Sequence, residues 1–140
     1  MENKNAPQAE DELTKATNIA KAVQASGIEI KESYIEPKAD DDALVAYARA
    51  RGKWVENYKD VYGKQAHASG VESEVYLSQN GIDVIKINSG CYHKTWLEFF
   101  TRIKTHNRYF PDTAYTIEGY TKREDRLAII LKQPKIDIGR

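Results

Sequence analysis

Apolar and polar positions along this chain follow a loose helical period to about residue 62, then alternate, return to a helical period, and alternate again. Glu74-Val75-Tyr76-Leu77-Ser78 and Val84-Ile85-Lys86-Ile87 flank Gln79-Asn80-Gly81. Asn-Gly between alternating runs predicts an antiparallel hairpin, because both residues accept the left-handed backbone of a tight turn. Within residues 92 to 109, Trp96, Phe99, Phe100, Ile103 and Asn107 recur at helical spacing, so one stripe of that helix faces a core, and Pro111-Asp112 ends it. Residues 114 to 120 and 127 to 131 read as two further strands joined by a charged turn over residues 121 to 126. The order strand, hairpin, helix, hairpin predicts an α+β fold, an antiparallel β-sheet with one main packed helix.

The N-terminal third is patterned more weakly. A short helix over residues 11 to 25 carries only Leu13, Ile19 and Val23 as apolar points, a thin face suited to a tail that orders against a partner. Ile28-Glu29-Ile30-Lys31 alternates as a short strand does, and Tyr34-Ile35-Glu36-Pro37 breaks any helix at the proline. Asp40-Asp41-Asp42 then opens a helix that runs to Arg49-Ala50-Arg51-Gly52, with acids at its positive end, arginines at its negative end and a glycine stop. The triple aspartate reads first as a helix opening and only second as a metal site. Residues 53 to 62, with Trp54, Val55, Tyr58 and Val61, are helical or mixed. This organisation divides the chain into a partly ordered acidic arm, residues 1 to 39, and an α+β domain, residues 40 to 140.

Charge sharpens that division. The formal net charge is zero, but residues 1 to 42 hold ten acids and five bases, which leaves eleven acids and sixteen bases for the rest. An acidic arm ahead of a mildly basic domain follows, although spaced charges of this kind also serve simple solvation. Length allows one ordinary core. No apolar run approaches the roughly 20 residues of a membrane span, and the start lacks an apolar signal core, which places the chain in the cytoplasm. Cys91 is the only cysteine, and His67, His93 and His106 lack metal-ligand spacing, so no disulfide or metal is assigned.

Lys86 is the residue that raises a question of function, since an ammonium in a β-branched run needs a partner or a ligand. As a surface residue it would take Asp83 and Glu74 as cross-strand neighbours. The element order with a lysine on the third strand resembles the N-terminal lobe of a protein kinase. The wording Gly70-Val71-Glu72-Ser73-Glu74-Val75-Tyr76-Leu77, His106-Asn107-Arg108-Tyr109-Phe110-Pro111 and Leu131-Lys132-Gln133-Pro134 is similar to the kinase-like module of bacterial and phage polyvalent proteins, elements of mobile DNA. The likeness covers about residues 50 to 136.

The resemblance implies a nucleotide site with ATP as its ligand. Against G-x-G-x-x-G-x-V the chain offers Ala68, Gly70, Ser73 and Val75, so one glycine and the valine survive and the loop is depleted for tight phosphate binding. Lys86 matches the phosphate-pairing lysine and Gln133 falls in the hinge. The lysine's partner is open among Glu98, Asn107 and His106. Glu98, the only acid of the helix, lies about 160° from Trp96 on the helical wheel and faces away from a core that Trp96 faces, with Arg102 as its natural surface partner; Asn107 and His106 reach inward better.

Nothing resembling His-Arg-Asp or Asp-Phe-Gly follows residue 134, so no catalytic base or Mg²⁺-binding aspartate is assigned. The resemblance therefore implies an N-lobe fragment that binds ATP weakly and is not competent for phosphoryl transfer alone, with a C-terminal lobe or another chain as partner and self-association through an exposed apolar lower face. The alternative is a non-enzymatic interaction module for a protein or nucleic-acid partner, using Lys94, Arg102, Lys104 and Arg108 around Trp96 and Tyr109. The zero net charge argues against nucleic acid.

Overall fold

The computed structural model describes residues 11 to 30 and 37 to 135. Helices α1 (Glu12–Ala25), α2 (Asp41–Ala50) and α3 (Tyr58–Tyr62) precede strands β1 (Ala68–Ser69), β2 (Ser73–Leu77) and β3 (Asp83–Asn88). Helix α4 (Trp96–Tyr109), a single 3-10 turn (Pro111–Thr113), and strands β4 (Thr116–Arg123) and β5 (Arg126–Pro134) follow. The strands form one five-stranded antiparallel sheet in the order β1-β2-β3-β5-β4. The fold is α+β with its main helix packed on the sheet, as the periodicity predicts. Residues 28 to 30 form no strand, while Lys31 and Tyr34-Ile35-Glu36 lie outside the described residues.

Both hairpins are set by turn chemistry. Gly81 stands at φ +75° in the β2–β3 turn, where the Gly81 N–H donates to the Ser78 carbonyl at 3.0 Å. In the β4–β5 turn Glu124 and Asp125 both take left-handed backbone, φ 53° and 65°, so two residues suffice to reverse the chain. The strands are accordingly longer than alternation suggests, and β4 takes in Thr121, Lys122 and Arg123. Two of those polar residues are buried because each has a partner: Thr121 Oγ1 donates to the Val55 carbonyl at 2.6 Å, and Arg123 binds Glu74.

One sheet face packs against the helices. Ile117, Tyr120, Leu127, Ile129 and Leu131 meet Trp96, Phe99, Phe100 and Ile103 of α4, together with Leu44 and Ala48 of α2 and Leu13, Ala16 and Ala20 of α1. Large side chains such as Trp96 and Phe100 each contribute about 1.5–3 kcal/mol by leaving water. Helix α1 therefore belongs to the main core. Its buried stripe joins Leu13 to Ala16, Thr17 and Ala20, and the last three are small residues that allow close approach to α4 and that a count of large apolar positions overlooks. Tyr120 Oη also donates to Glu12 Oε2 at 2.8 Å, which ties α1 to β4.

The opposite face packs against residues 55 to 66, where Tyr58, Tyr76, Ile85, Ile87, Ala128 and Ile130 form a second cluster. Only Tyr58–Tyr62 of residues 53 to 62 is helical. Before it, Trp54 bridges to Tyr120 in parallel, with the Val55 N–H donating to the Tyr120 carbonyl at 2.8 Å and the Tyr120 N–H to the Lys53 carbonyl at 3.0 Å. Gly119 sits at a register shift in β4, where a Cβ would stand 2.9 Å from the Lys53 carbonyl. Only glycine lets that segment come so close.

The aspartates that open α2 serve α4 as well. Asp40 is buried and accepts from the N–H groups of Trp96 at 2.9 Å and Leu97 at 3.0 Å, while Asp41 Oδ1 accepts from Trp96 Nε1 at 2.6 Å. Asp40 caps a helix 56 positions away instead of its own, supplying the acceptors that α4's first turn lacks. Burial pushes its carboxyl above the usual range, with the two backbone hydrogen bonds opposing that shift. Among the described residues no group of three or more His, Cys, Asp or Glu is arranged to hold a metal ion.

Candidate functional site

A row of paired residues crosses all five strands on the helix-bearing face. Ala68 pairs with Val75, Val75 with Lys86, Lys86 with Leu131 and Leu131 with Ile117. Residues directly opposite in an antiparallel sheet share a face, so these five point the same way. Burial falls along the row: Ile117 and Leu131 are sealed under α4, Lys86 and Val75 are half-buried, and Ala68 is exposed. In the next row Leu77 pairs with Val84 and Val84 with Gln133, all of them partly or largely exposed. The helices cover the β5–β4 half of this face and leave the β2–β3 half open.

At the boundary of the two halves, Lys86 Nζ donates to Tyr115 Oη at 2.9 Å and lies 5.0 Å from the centre of the Tyr115 ring. Tyr115 is clamped by Asn107, whose Nδ2 donates to the Tyr115 carbonyl at 2.9 Å and whose Oδ1 accepts from the Tyr115 N–H at 2.7 Å. The ring of His106 lies 4.9 Å from that of Tyr115, with its Nε2 3.0 Å from the Thr113 carbonyl. Gln133 Nε2 donates to the same carbonyl at 2.9 Å. Lys86, Asn107, His106 and Gln133 therefore converge on residues 113 to 115. Neither Thr113 nor Tyr115 stands out in the sequence, where that stretch reads as the start of a strand; a phenol four residues past a proline stop was its only signal.

Glu98 lies elsewhere. It is exposed in the first turn of α4, nine residues and so about 13 Å along the axis from Asn107. Its Oε1 accepts from the Lys94 N–H at 3.2 Å, and its own N–H donates to Thr95 Oγ1 at 3.2 Å, a capping arrangement that turns the carboxylate to the helix end rather than to Arg102. A cleft of about 750 Å³ opens beside it, lined by Glu72, His93, Thr95, Glu98, Thr101 and Arg102 among others, and Lys86 is not among its walls.

Glu74 is no neighbour of Lys86. It pairs with Ile87 and points to the opposite face, where it is buried. Its carboxylate accepts from Tyr58 Oη and Tyr76 Oη at 2.7 Å each, Arg123 Nε at 2.8 Å and Lys59 Nζ at 3.3 Å. Burial alone would push its carboxyl up, but the four donors, Tyr58 and Arg123 first, outweigh it and hold the group at about 2. Tyr58 is correspondingly pushed up to about 12, by burial and by its hydrogen bond to Glu74.

Residues 70 to 72 join β1 to β2, with the Gly70 N–H donating to the Ser73 carbonyl at 2.9 Å. Gly70 has no positive φ, and a Cβ there would meet nothing within 4 Å, so the fold does not require glycine at this place. Ser73 and Val75 alternate onto the same face as Lys86. Among aromatics proposed for a nucleic-acid surface, Trp96 is 1% exposed and unavailable, while Tyr109 is 67% exposed.

A family model described as serine/threonine/tyrosine kinase found in polyvalent proteins matches residues 37–140, which is 104 of the 140 residues. The chain belongs to this family. Comparison with curated proteins and with solved structures returned no match. The match reaches further towards the N-terminus than the resemblance in wording, taking in α2 and the two aspartates that hold α4. The polyvalent-protein kinase module is thus a kinase-related α+β domain, and among its described residues no helix is long and apolar enough to cross a membrane.

Proposed function

We propose that the open half of the helix-bearing face binds ATP. Val75 and Val84 form the apolar floor for the adenine, beside Gln133 where the chain leaves the sheet, and Lys86 meets the phosphates near Ser73 and the Gly70 turn. The observation that carries this reading is the fall in burial along the row Ile117, Leu131, Lys86, Val75, Ala68. It leaves one ammonium at the rim of an apolar surface that the described residues do not cover. Tyr115 takes the place of a carboxylate as the lysine's partner. A hydroxyl orients the ammonium without neutralising it, so its charge remains for a phosphate.

Among the described residues we assign no counterpart of a catalytic base or of a metal-binding aspartate, and phosphoryl transfer needs both positioning and charge stabilisation from such groups. Binding without transfer is therefore the expected property of this chain by itself, in the cytoplasm, with the remaining catalytic groups coming from a further lobe or another chain. Thermal unfolding with and without Mg-ATP tests the reading. At 100 times its Kd the nucleotide stabilises the fold by about 2.7 kcal/mol, and the shift disappears in Lys86→Met. An unchanged midpoint at millimolar ATP sinks the proposal.

A further inference from the structure

Arg123 reaches from the β4–β5 turn to the Gly70 turn, 53 positions away, and binds its backbone directly. Arg123 Nη2 donates to the Gly70 carbonyl at 2.6 Å, and Nη1 donates to the Val71 carbonyl at 2.8 Å and to Ser89 Oγ at 3.1 Å. Its Nε is fixed by Glu74 at 2.8 Å, so every arm of a planar fork is in use. In a trans peptide plane the N–H points opposite to the C=O. Drawing the carbonyls of Gly70 and Val71 onto the guanidinium therefore turns the N–H groups of Val71 and Glu72 away from it. Neither N–H donates to a backbone or side-chain acceptor among the described residues. Two successive N–H groups of this turn are thus left to donate to an anion. Glu72 itself lines the same cleft as His93 and Arg102.

We infer that Arg123, locked by Glu74, is a positioning residue that presents the Val71 and Glu72 N–H groups to the phosphates of a bound nucleotide. This rests on the ATP-binding reading above and adds to it the device that makes up for the missing glycines. A loop with Ala68, Gly70 and Ser73 does not need to be flexible if a side chain from the far end of the sheet sets its peptide planes.

The experiment compares ATP with adenosine, because the proposed role touches only the phosphates. Calorimetric titration of the wild type gives an ATP affinity at least tenfold tighter than that for adenosine. Arg123→Lys and Arg123→Gln narrow the ATP preference several-fold, Lys86 being still in place, while leaving adenosine binding unchanged, a split that general loosening of the fold does not produce. An Arg123→Lys protein that keeps the full ATP preference overturns the inference and leaves ATP binding intact. A wild type that binds neither ligand overturns both. Amide chemical shifts of the wild type supply a test independent of any variant: ATP and tripolyphosphate move the Val71 and Glu72 signals and adenosine does not, and amides that stay still with both phosphate ligands overturn the inference.

Discussion

Glu74 on β2 and Lys86 on β3 are charged residues on neighbouring strands, one pairing step apart, and their surroundings are opposite. Glu74 faces residues 55 to 66 and is saturated by two phenols, a guanidinium and an ammonium. Lys86 faces the helix side at the edge of what the helices cover and, among the described residues, has one neutral partner, Tyr115. A charge that the protein satisfies from every side holds the structure together, whereas a charge given a single hydroxyl beside open apolar surface is left available. The contrast separates a charge taken up by the fold from one left with a neutral partner at an open rim.

Stability measurements put the largest stress on that contrast. Removing one partner of a buried ion pair leaves an uncompensated charge, so Glu74→Gln is expected to lose about 3–5 kcal/mol by urea denaturation. Lys86→Met, on the half-open side, is expected to stay within about 1 kcal/mol. Equal losses at the two positions would break the comparison.

Acid provides a second measure of the same difference. The carboxyl of Glu74 is held at about 2 in the fold against 4.5 for an ordinary glutamate. A group whose folded value is depressed contributes stability that is present above its unfolded value and lost as pH falls through its folded value. At about 1.4 kcal/mol per tenfold change in proton affinity, a contribution on the order of 3 kcal/mol is complete above pH 4.5 and fades between pH 4.5 and 2. The pH dependence of the unfolding midpoint in that window should flatten in Glu74→Gln. A wild-type midpoint that does not change there shows that Glu74 is not held as the geometry requires.

The two residues were not equally legible. Lys86 announces itself, because a lysine amid Val84, Ile85 and Ile87 conflicts with its neighbours in a local window. Glu74 sits in an alternating strand and looks like its solvent-side position, and nothing local shows that Arg123, 49 positions on, reaches it. The same separation holds elsewhere. The β2–β3 turn and the stripe on α4 are local and could be read, and the helical wheel correctly turns Glu98 away from the core. The adjacency of β3 to β5, the capping of α4 by Asp40 and the tyrosine that holds Lys86 are long-range and could not. Helix α1 departs from its sequence pattern for another reason. Its contact stripe uses Ala16 and Ala20, which contribute closeness of approach rather than apolar bulk.

Two glycines extend the comparison to the backbone. Gly119→Ala forces a Cβ to 2.9 Å from a backbone carbonyl on the closed half of the molecule and is expected to cost about 1–3 kcal/mol. Gly70→Ala meets open space at the rim of the proposed site and should leave stability within about 0.5 kcal/mol. Its effect belongs to binding, where the added methyl keeps a phosphate from the turn. Equal unfolding midpoints for wild type and Gly70→Ala, combined with a weaker ATP affinity for the variant, fit a glycine kept for a ligand. An ATP affinity unchanged by the methyl group places the phosphates elsewhere.

The smallest expected change sharpens the point at which structure passes into function. Tyr115→Phe keeps the ring that packs on His106 and the backbone pair with Asn107, and removes only the hydroxyl that accepts the hydrogen bond from Lys86. A half-exposed hydrogen bond of this kind contributes about 0.5–1.5 kcal/mol, part of which water returns to a partly exposed ammonium. Stability should thus fall by less than about 1 kcal/mol. If Tyr115 orients Lys86 for a phosphate, ATP binding weakens several-fold while adenosine binding does not change. If Lys86 is a surface lysine resting on a tyrosine, the two affinities move together or not at all, and the open half of the sheet loses its claim to be a nucleotide site.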